Sequence, residues 1–166
     1  NWAVLLGRRE TGVTLHLMTD KVDRGPIIAQ KRFPIRDEEN AWDVLLRTRD
    51  EACRLVEESL LPFINGEIRP MAQPKGKPAL AARTPAMGEF DTTWSAASVR
   101  NLVRALCRPW PGAFIRLGGR RIIVRHVTGP FEPGRVGVFV EGSRLRIGFP
   151  DGTLFSDDYA LDEVSV

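Results

Sequence analysis

The sequence predicts an α/β segment followed by a small β-barrel or sandwich, and three observations lead to this fold class. Two apolar strand patterns precede a long amphipathic helical pattern within residues 1–70 of the 166-residue chain. A proline-rich stretch then interrupts the periodicity. From residue 113 onward, short apolar runs alternate with tight turns, which is typical of a small all-β domain.

Hydrophobic periodicity defines the elements of the first half. Residues 1–6 are expected to end a helix, closed by Gly7. Alternation over residues 13–18 predicts a strand, and residues 27–35 predict a second strand that pairs with it antiparallel across a loop at residues 19–26. Residues 38–64 predict a helix, in which Pro62 is expected to kink the last turn or to end the helix early.

The second half begins with a predicted helix at residues 95–108, with Ser95 as its N-cap and Pro109 as its stop. Two hairpins are then expected. The first joins residues 113–117 to 120–127 through Gly118 and Gly119, and the second joins residues 136–140 to 145–149. A further turn at Asp151 and Gly152 precedes Leu154 and Phe155.

Composition favours a packed domain, because 43% of the residues are apolar and 27% are charged. No apolar run approaches the roughly 18 residues that a membrane helix needs, so no membrane partner is expected. Cys53 and Cys107 have neither metal-ligand nor disulfide spacing and are expected to be small buried side chains. That cysteine usage fits a reducing cytoplasm.

Charge is distributed unevenly along the chain. Residues 100–146 contain ten arginines and two acids, whereas the last twenty residues contain five acids and no basic residue. Arg100, Arg104 and Arg108 recur every four residues on the predicted helix. A solvated or intramolecularly paired basic surface is favoured over a patch for nucleotide or nucleic-acid phosphates.

One loop offers chemistry, since no P-loop, dinucleotide fingerprint or nucleophile elbow is present. Asp23 lies between the first two strands, where a carboxylate can serve general acid/base catalysis. Gly25 follows it and permits a close backbone approach. A plain turn aspartate is the alternative. His16 and His126 lie in strand patterns, and structural roles are favoured for both.

Four blocks of sequence, in order along nearly the whole chain, resemble the 10-formyltetrahydrofolate-dependent formyltransferases. They are ETGVTLHLM from Glu10, DRGPIIAQ from Asp23, PWPGAF from Pro109 and DGTL from Asp151. NW at the start, TLH, IIAQ and RTPAMGEFDTTW are closer to the branch that formylates UDP-4-amino-4-deoxy-L-arabinose in polymyxin resistance. Methionyl-tRNA formyltransferase is the alternative branch.

The resemblance implies a domain organisation. Residues 1–70 would be the C-terminal part of a truncated, Rossmann-like catalytic domain, residues 71–87 a linker, and residues 88–166 an OB-like C-terminal domain. Because the chain begins with Asn1 inside an apolar pattern, we expect it to be a piece of a longer protein. Half of a Rossmann-like sheet would expose edges and apolar surface, so dimerisation or another homo-oligomer is expected unless the first segment rearranges.

The resemblance also implies a reaction: formyl transfer from 10-formyltetrahydrofolate to a primary amine, most simply the 4-amino group of a nucleotide-linked sugar. Asp23 matches the family's catalytic Asp, whereas the family's Asn and His come from an N-x-H-P-S motif that this sequence does not contain. Because the developing oxyanion needs those donors, we expect the chain alone to be inactive. No metal is expected. A non-catalytic module that binds a phosphorylated ligand or RNA is the alternative from another class.

Overall fold

The chain divides into two compact units in its computed structural model, which describes residues 1–74, 76 and 80–163. Residues 9–37 and 43–81 form what we call the hairpin unit. Residues 1–8, 38–42 and 82–166 form the barrel unit. Residues 75 and 77–79 of the predicted linker, and residues 164–166 of the predicted last domain, lie outside the described residues.

The hairpin unit is built from two strands and most of a long helix. Strand β1 (Glu10–His16) pairs antiparallel with β2 (Ile27–Pro34), as predicted, and helix α2 (Ala41–Ile64) follows. Val13 and Phe33 are buried, which gives the hairpin an apolar face. The Lys31 ammonium lies 2.9 Å from a carboxylate oxygen of Glu51 on α2. Hydrogen bonding from Lys31 lowers the pKa of Glu51 below its ordinary value.

Pro62 lies inside α2, and the helix continues past it to Ile64. The early ending considered from the sequence therefore does not occur. A proline in the last turn removes one backbone donor only, and the helix end is closed by other bonds. The amide of Gly66 donates to the Phe63 carbonyl at 3.0 Å, and the amide of Glu67 donates to the Pro62 carbonyl at 2.9 Å.

The barrel unit contains a five-stranded antiparallel sheet in the order β3-β4-β7-β6-β5. Its strands are β3 (Ala113–Leu117), β4 (Arg120–Phe131), β5 (Gly137–Glu141), β6 (Arg144–Phe149) and β7 (Gly152–Glu163). Register shifts along the β4–β7 pair bend the long strands, so one sheet curls into a half-barrel. The predicted fold class, an α/β segment followed by an OB-like barrel domain, is confirmed.

Helix α3 (Ala96–Ala105) supplies the buried apolar face that the sheet packs against. Ser95 is its N-cap, as predicted, and accepts a hydrogen bond from the Ser98 amide at 3.1 Å. The first helical amide, that of Ala96, donates to the Asp151 carboxylate at 2.8 Å. Aspartate in the DGTL block therefore fixes the start of this helix. Two short helices complete the unit, α1 (Trp2–Leu5) and a single 3₁₀ turn at Pro85–Gly88.

The prediction that α3 extends to residue 108 is wrong, because the helix ends at Ala105. A residue that precedes proline is disfavoured in the helical region, and Pro109 imposes that restriction on Arg108. Instead, the Trp110 amide closes a turn by donating to the Cys107 carbonyl at 2.9 Å. Arg108 therefore lies outside the helix, and the predicted helical stripe of three arginines does not form.

Strand β7 is longer than the sequence indicated, since it continues beyond Phe155 to Glu163. Aspartates are depleted in strands, so this stretch has no strand pattern of its own. Its acids face arginines of neighbouring strands: Asp158 lies 3.9 Å from Arg125, and Asp157 lies 3.3 Å from Arg144. Cross-strand pairing of opposite charges offsets the weak strand propensity.

The two cysteines differ in exposure. Cys107 is buried, as predicted, and its thiol lies 3.2 Å from the Asn40 side-chain oxygen. Cys53 is exposed on α2, so the expectation that it is buried is wrong, and neither cysteine forms a disulfide bond. In the part of the chain that the structure describes, no helix is both long and apolar enough to cross a bilayer.

Candidate active site

Asp23 lies in the loop between β1 and β2, with its side chain 87% exposed. Its backbone has a φ of +55°, the left-handed region that few residues other than glycine adopt. Aspartate is among the residues that tolerate this conformation, yet such angles cluster at ligand and catalytic sites. The carboxylate is therefore presented to solvent from a sharply turned backbone.

Gly25 explains why the loop can close so tightly. A Cβ atom built at this buried position would lie 1.7 Å from the carbonyl oxygen of Leu17. Only glycine allows the two strands of the loop to approach this closely. The Leu17 amide in turn donates to the Pro26 carbonyl at 2.9 Å, which holds the base of the loop together.

Gln73 holds the same loop from a distant part of the chain. Its side-chain amide nitrogen donates to the Asp23 carbonyl at 2.9 Å and to the Gly25 carbonyl at 2.8 Å. The segment that carries Gln73 is itself anchored, since Met71 and Ile27 exchange backbone hydrogen bonds of 2.7 and 2.8 Å. The loop is thus bonded both at its base and near its tip.

His16, the last residue of β1, lies beside Asp23. Its Nδ1 is 2.8 Å from the Leu17 carbonyl oxygen, so Nδ1 carries the proton that this contact requires. Nε2 then lies 3.7 Å from the Asp23 carboxylate. The preference for a purely structural His16 missed this contact. Its position at a strand end that faces the Asp23 loop was the available signal. His126 is exposed on β4 in the barrel unit.

An open cleft of about 300 Å³ that contains several polar side chains surrounds the pair. Thr14, Gln30 and Gln73 line it together with His16, Asp23 and Ile27. The Gln30 amide donates to the Thr14 hydroxyl at 2.8 Å. Such a cleft can admit a polar substrate, and a carboxylate and an imidazole within it can exchange a proton. No group of three or more ligand-type side chains that could hold a metal occurs among the described residues.

The barrel unit has a basic surface whose charge is largely neutralised by its own acids. Besides the two pairs on β7 described above, Arg121 pairs with Asp162, Arg116 lies 3.1 Å from Glu89, and Arg146 pairs with Glu141. Arg104 donates to the Glu39 carbonyl at 2.8 Å. The arginine-rich stretch predicted from the sequence is therefore paired within the chain at many positions.

Comparison with known proteins agrees with this architecture. The formyl transferase family model matches residues 1–60, and the model of the formyl transferase C-terminal domain matches residues 83–157. Among solved structures, HypX from Aquifex aeolicus in complex with tetrahydrofolic acid is similar, with a TM-score of 0.73 and 23% identity over 95% of this chain and 28% of that chain.

Two further structures are similar in fold. An N-formyltransferase from Helicobacter canadensis, solved with folinic acid and dTDP-3-aminofucose, has a TM-score of 0.78 and 18% identity over 95% of this chain and 59% of that chain. Methionyl-tRNA formyltransferase from Clostridium thermocellum has a TM-score of 0.59 and 14% identity over 97% of this chain and 60% of that chain. The chain thus spans less than two thirds of each of these proteins.

The chain joins two modules. The first is a β-hairpin with a D-x-G loop and a following helix, and the second is an antiparallel half-barrel, so the chain falls in a class of two-part proteins with this order of modules. Both parts match their respective models in sequence over most of the chain. The chain belongs to the formyltransferase family.

Proposed function

We propose that the protein containing this chain transfers a formyl group from 10-formyltetrahydrofolate to a primary amine, with Asp23 as its general acid/base. The observation that carries the proposal is the Asp23 carboxylate in an open cleft, 3.7 Å from the imidazole of His16. An exposed acid would need no such neighbour in a plain turn. Polar side chains in the cleft, set among apolar surface, also fit a hydrogen-bonding ligand such as a folate.

The bound folate supplies the formyl group. As the amine nitrogen bonds to the formyl carbon, the bond from that carbon to N10 of the folate breaks. The amine must lose a proton, which the Asp23 carboxylate can accept and pass to the departing nitrogen. The Nδ1 proton of His16 is engaged by the Leu17 carbonyl, which leaves Nε2 to face Asp23. Protonated Asp23 can then donate to Nε2. The pair can therefore hold the transferred proton, and its spacing can tighten when substrate binds.

For the acceptor we propose a nucleotide-linked amino sugar. Similarity in fold supports this choice: two sugar N-formyltransferases give TM-scores of 0.78 and 0.75, against 0.59 for the methionyl-tRNA formyltransferase. The internal pairing of the barrel arginines also leaves less positive charge for a tRNA backbone. The domain boundaries at residues 70 and 88, a cytoplasmic location and homo-oligomer formation belong to the same proposal.

The test uses the full-length protein with 10-formyltetrahydrofolate and either UDP-4-amino-4-deoxy-L-arabinose or charged initiator tRNA, and follows folate release. Asp23→Asn removes the charge but keeps a side chain that tolerates a positive φ. We expect turnover with the sugar, and a loss of 10²-fold or more in Asp23→Asn, which is about the contribution of general acid/base catalysis.

The matched control is Asp20→Asn, which removes an exposed acid from the same loop. It should retain turnover within about threefold. Turnover with tRNA alone would reject the sugar acceptor. Equal activity of wild type and Asp23→Asn would reject the role of Asp23, and release of no folate with either acceptor would leave a binding module as the better account.

A further inference from the structure

We propose that Gln73 is a positioning residue that sets the Asp23 carboxylate against His16, an inference that rests on the proposed function of Asp23. One amide nitrogen reaches two carbonyls of the Asp23 loop, at 2.9 and 2.8 Å. The two acceptors, on Asp23 and Gly25, flank Arg24 on either side. Gln73 is separated from them by 50 and 48 residues in sequence.

The loop needs such a contact because Asp23 is held in a sparsely populated backbone conformation. A φ of +55° persists only where the surrounding structure enforces it. The bond at the base of the loop does not reach Asp23, and the bond from the Arg24 amide to the Lys21 carbonyl at 3.3 Å closes the turn around Asp23 without engaging the Asp23 carbonyl. Gln73 is the side chain whose donors reach the Asp23 carbonyl itself, so it fixes the peptide plane from which the carboxylate projects.

Gln73 can do this because its own backbone is fixed to the start of β2. Met71 exchanges two backbone hydrogen bonds with Ile27, and Gln73 follows two residues later. Its amide thus comes from a segment anchored two residues earlier, and the Gln73 side chain spans the gap to the loop. A substitution in this part of the predicted linker should therefore alter the position of Asp23.

The chemistry of the contact specifies a donor at position 73. Both partners are carbonyl oxygens, which accept and cannot donate. Gln73→Met is similar in size and neutral but has no donor, so it should release the loop without adding charge. Gln73→Lys keeps a donor on a flexible stem and should restore part of the restraint. Comparing Gln73→Met with Gln73→Lys separates the contribution of hydrogen bonding to the loop restraint from that of side-chain packing.

The kinetic test measures kcat and KM for formyl transfer by the full-length protein. A displacement of about 1 Å at a catalytic group can cost about 10²-fold in rate. We expect Gln73→Met to lower kcat by about 10- to 100-fold with KM within about threefold. Gln73→Lys should recover kcat at least fivefold relative to Gln73→Met. A raised KM with unchanged kcat, or equal kcat in Met and Lys variants, would overturn the positioning role.

A second measurement does not depend on turnover. Amide hydrogen exchange in residues 19–25 should be faster in Gln73→Met than in wild type, and slowed again in Gln73→Lys, while exchange in α3 stays the same. If wild type shows no formyl transfer, the proposed function fails but this measurement still reports whether Gln73 restrains the loop. Unchanged loop exchange in Gln73→Met would overturn the inference whatever the kinetics.

Discussion

Replacing Gly25 with alanine should force the Asp23 loop apart. The added methyl carbon would lie 1.7 Å from the Leu17 carbonyl oxygen and 2.7 Å from the Leu17 carbonyl carbon. Real Cβ contacts essentially never fall below 3.0 Å, so one side of the loop must retreat by the difference, about 1.3 Å. Both atoms of Leu17 belong to the backbone, and no side-chain rotation can relieve the overlap. Overpacking of this kind costs about 1–3 kcal/mol of stability.

The same displacement should reduce formyl transfer, because a shift of about 1 Å at a catalytic group costs about 10²-fold in rate. Two assays check this: denaturant unfolding of the chain, and folate release by the full-length protein. Gly76→Ala is the control, since the nearest atom to its added carbon is the Pro74 carbonyl oxygen at 3.8 Å.

Both substitutions restrict the unfolded chain equally, so their difference isolates the overlap at Leu17. Gly25→Ala is expected to unfold at a lower denaturant concentration than Gly76→Ala and to lose turnover. If the two variants unfold together and Gly25→Ala keeps turnover within twofold of wild type, the close approach of Gly25 to Leu17 is wrong.

Three other predictions concern stability. Ser95→Ala should lower the free energy of unfolding by about 1 kcal/mol, because the N-cap bond of α3 is lost; urea unfolding measures it. Leu154→Ala removes a side chain with no solvent exposure and should cost about 2–5 kcal/mol, whereas Val140→Ala, 65% exposed, should change stability by less than about 0.5 kcal/mol. Glu51→Gln should destabilise the chain at pH 7, and the difference from wild type should vanish on acidification. Because folding lowers the pKa of Glu51, its carboxylate stabilises the chain at pH values above the ordinary pKa of 4.5. This stabilisation is lost as the pH falls through the pKa of the folded state. Unfolding curves between pH 7 and pH 3 test the sign.

Elements with local signals were predictable from the sequence. Apolar alternation identified the β1–β2 hairpin, and the glycine pair identified the turn between β3 and β4. In that turn Gly118 and Gly119 have φ values of +54° and +79°, which L-residues with side chains rarely adopt. Ser95 likewise identified the start of α3 through the chemistry of its hydroxyl.

Elements that depend on distant partners were not predictable. The end of β7 is rich in aspartate and is held as a strand by its pairing with β4, with arginines of β4 and β6 beside its acids. The early end of α3 reflects a tight turn before Trp110, which periodicity alone does not reveal. In both cases tertiary context overrides a local preference.

The candidate site divides in the same way. Asp23 and Gly25 share one motif, so the sequence pointed to both. His16 becomes part of the site only when the hairpin closes and brings the end of β1 against the loop. Gln73 lies 50 residues from Asp23, in a stretch without periodicity, and its contact depends on the bridge between Met71 and Ile27. A single sequence contains no signal for such a long-range hydrogen bond.

The acids of β7 compete with external anions for the arginines of the barrel unit. The carboxylates of Asp157, Asp158 and Asp162 are attached to the same sheet as the guanidinium groups they face, so they compete intramolecularly with free anions for these groups. A polyanion must first displace these tethered carboxylates. Converting the three aspartates to asparagine would release the arginines and should make the chain adhere to heparin or bulk RNA. We therefore expect the acidic strand to reduce non-specific adsorption of polyanions to this surface.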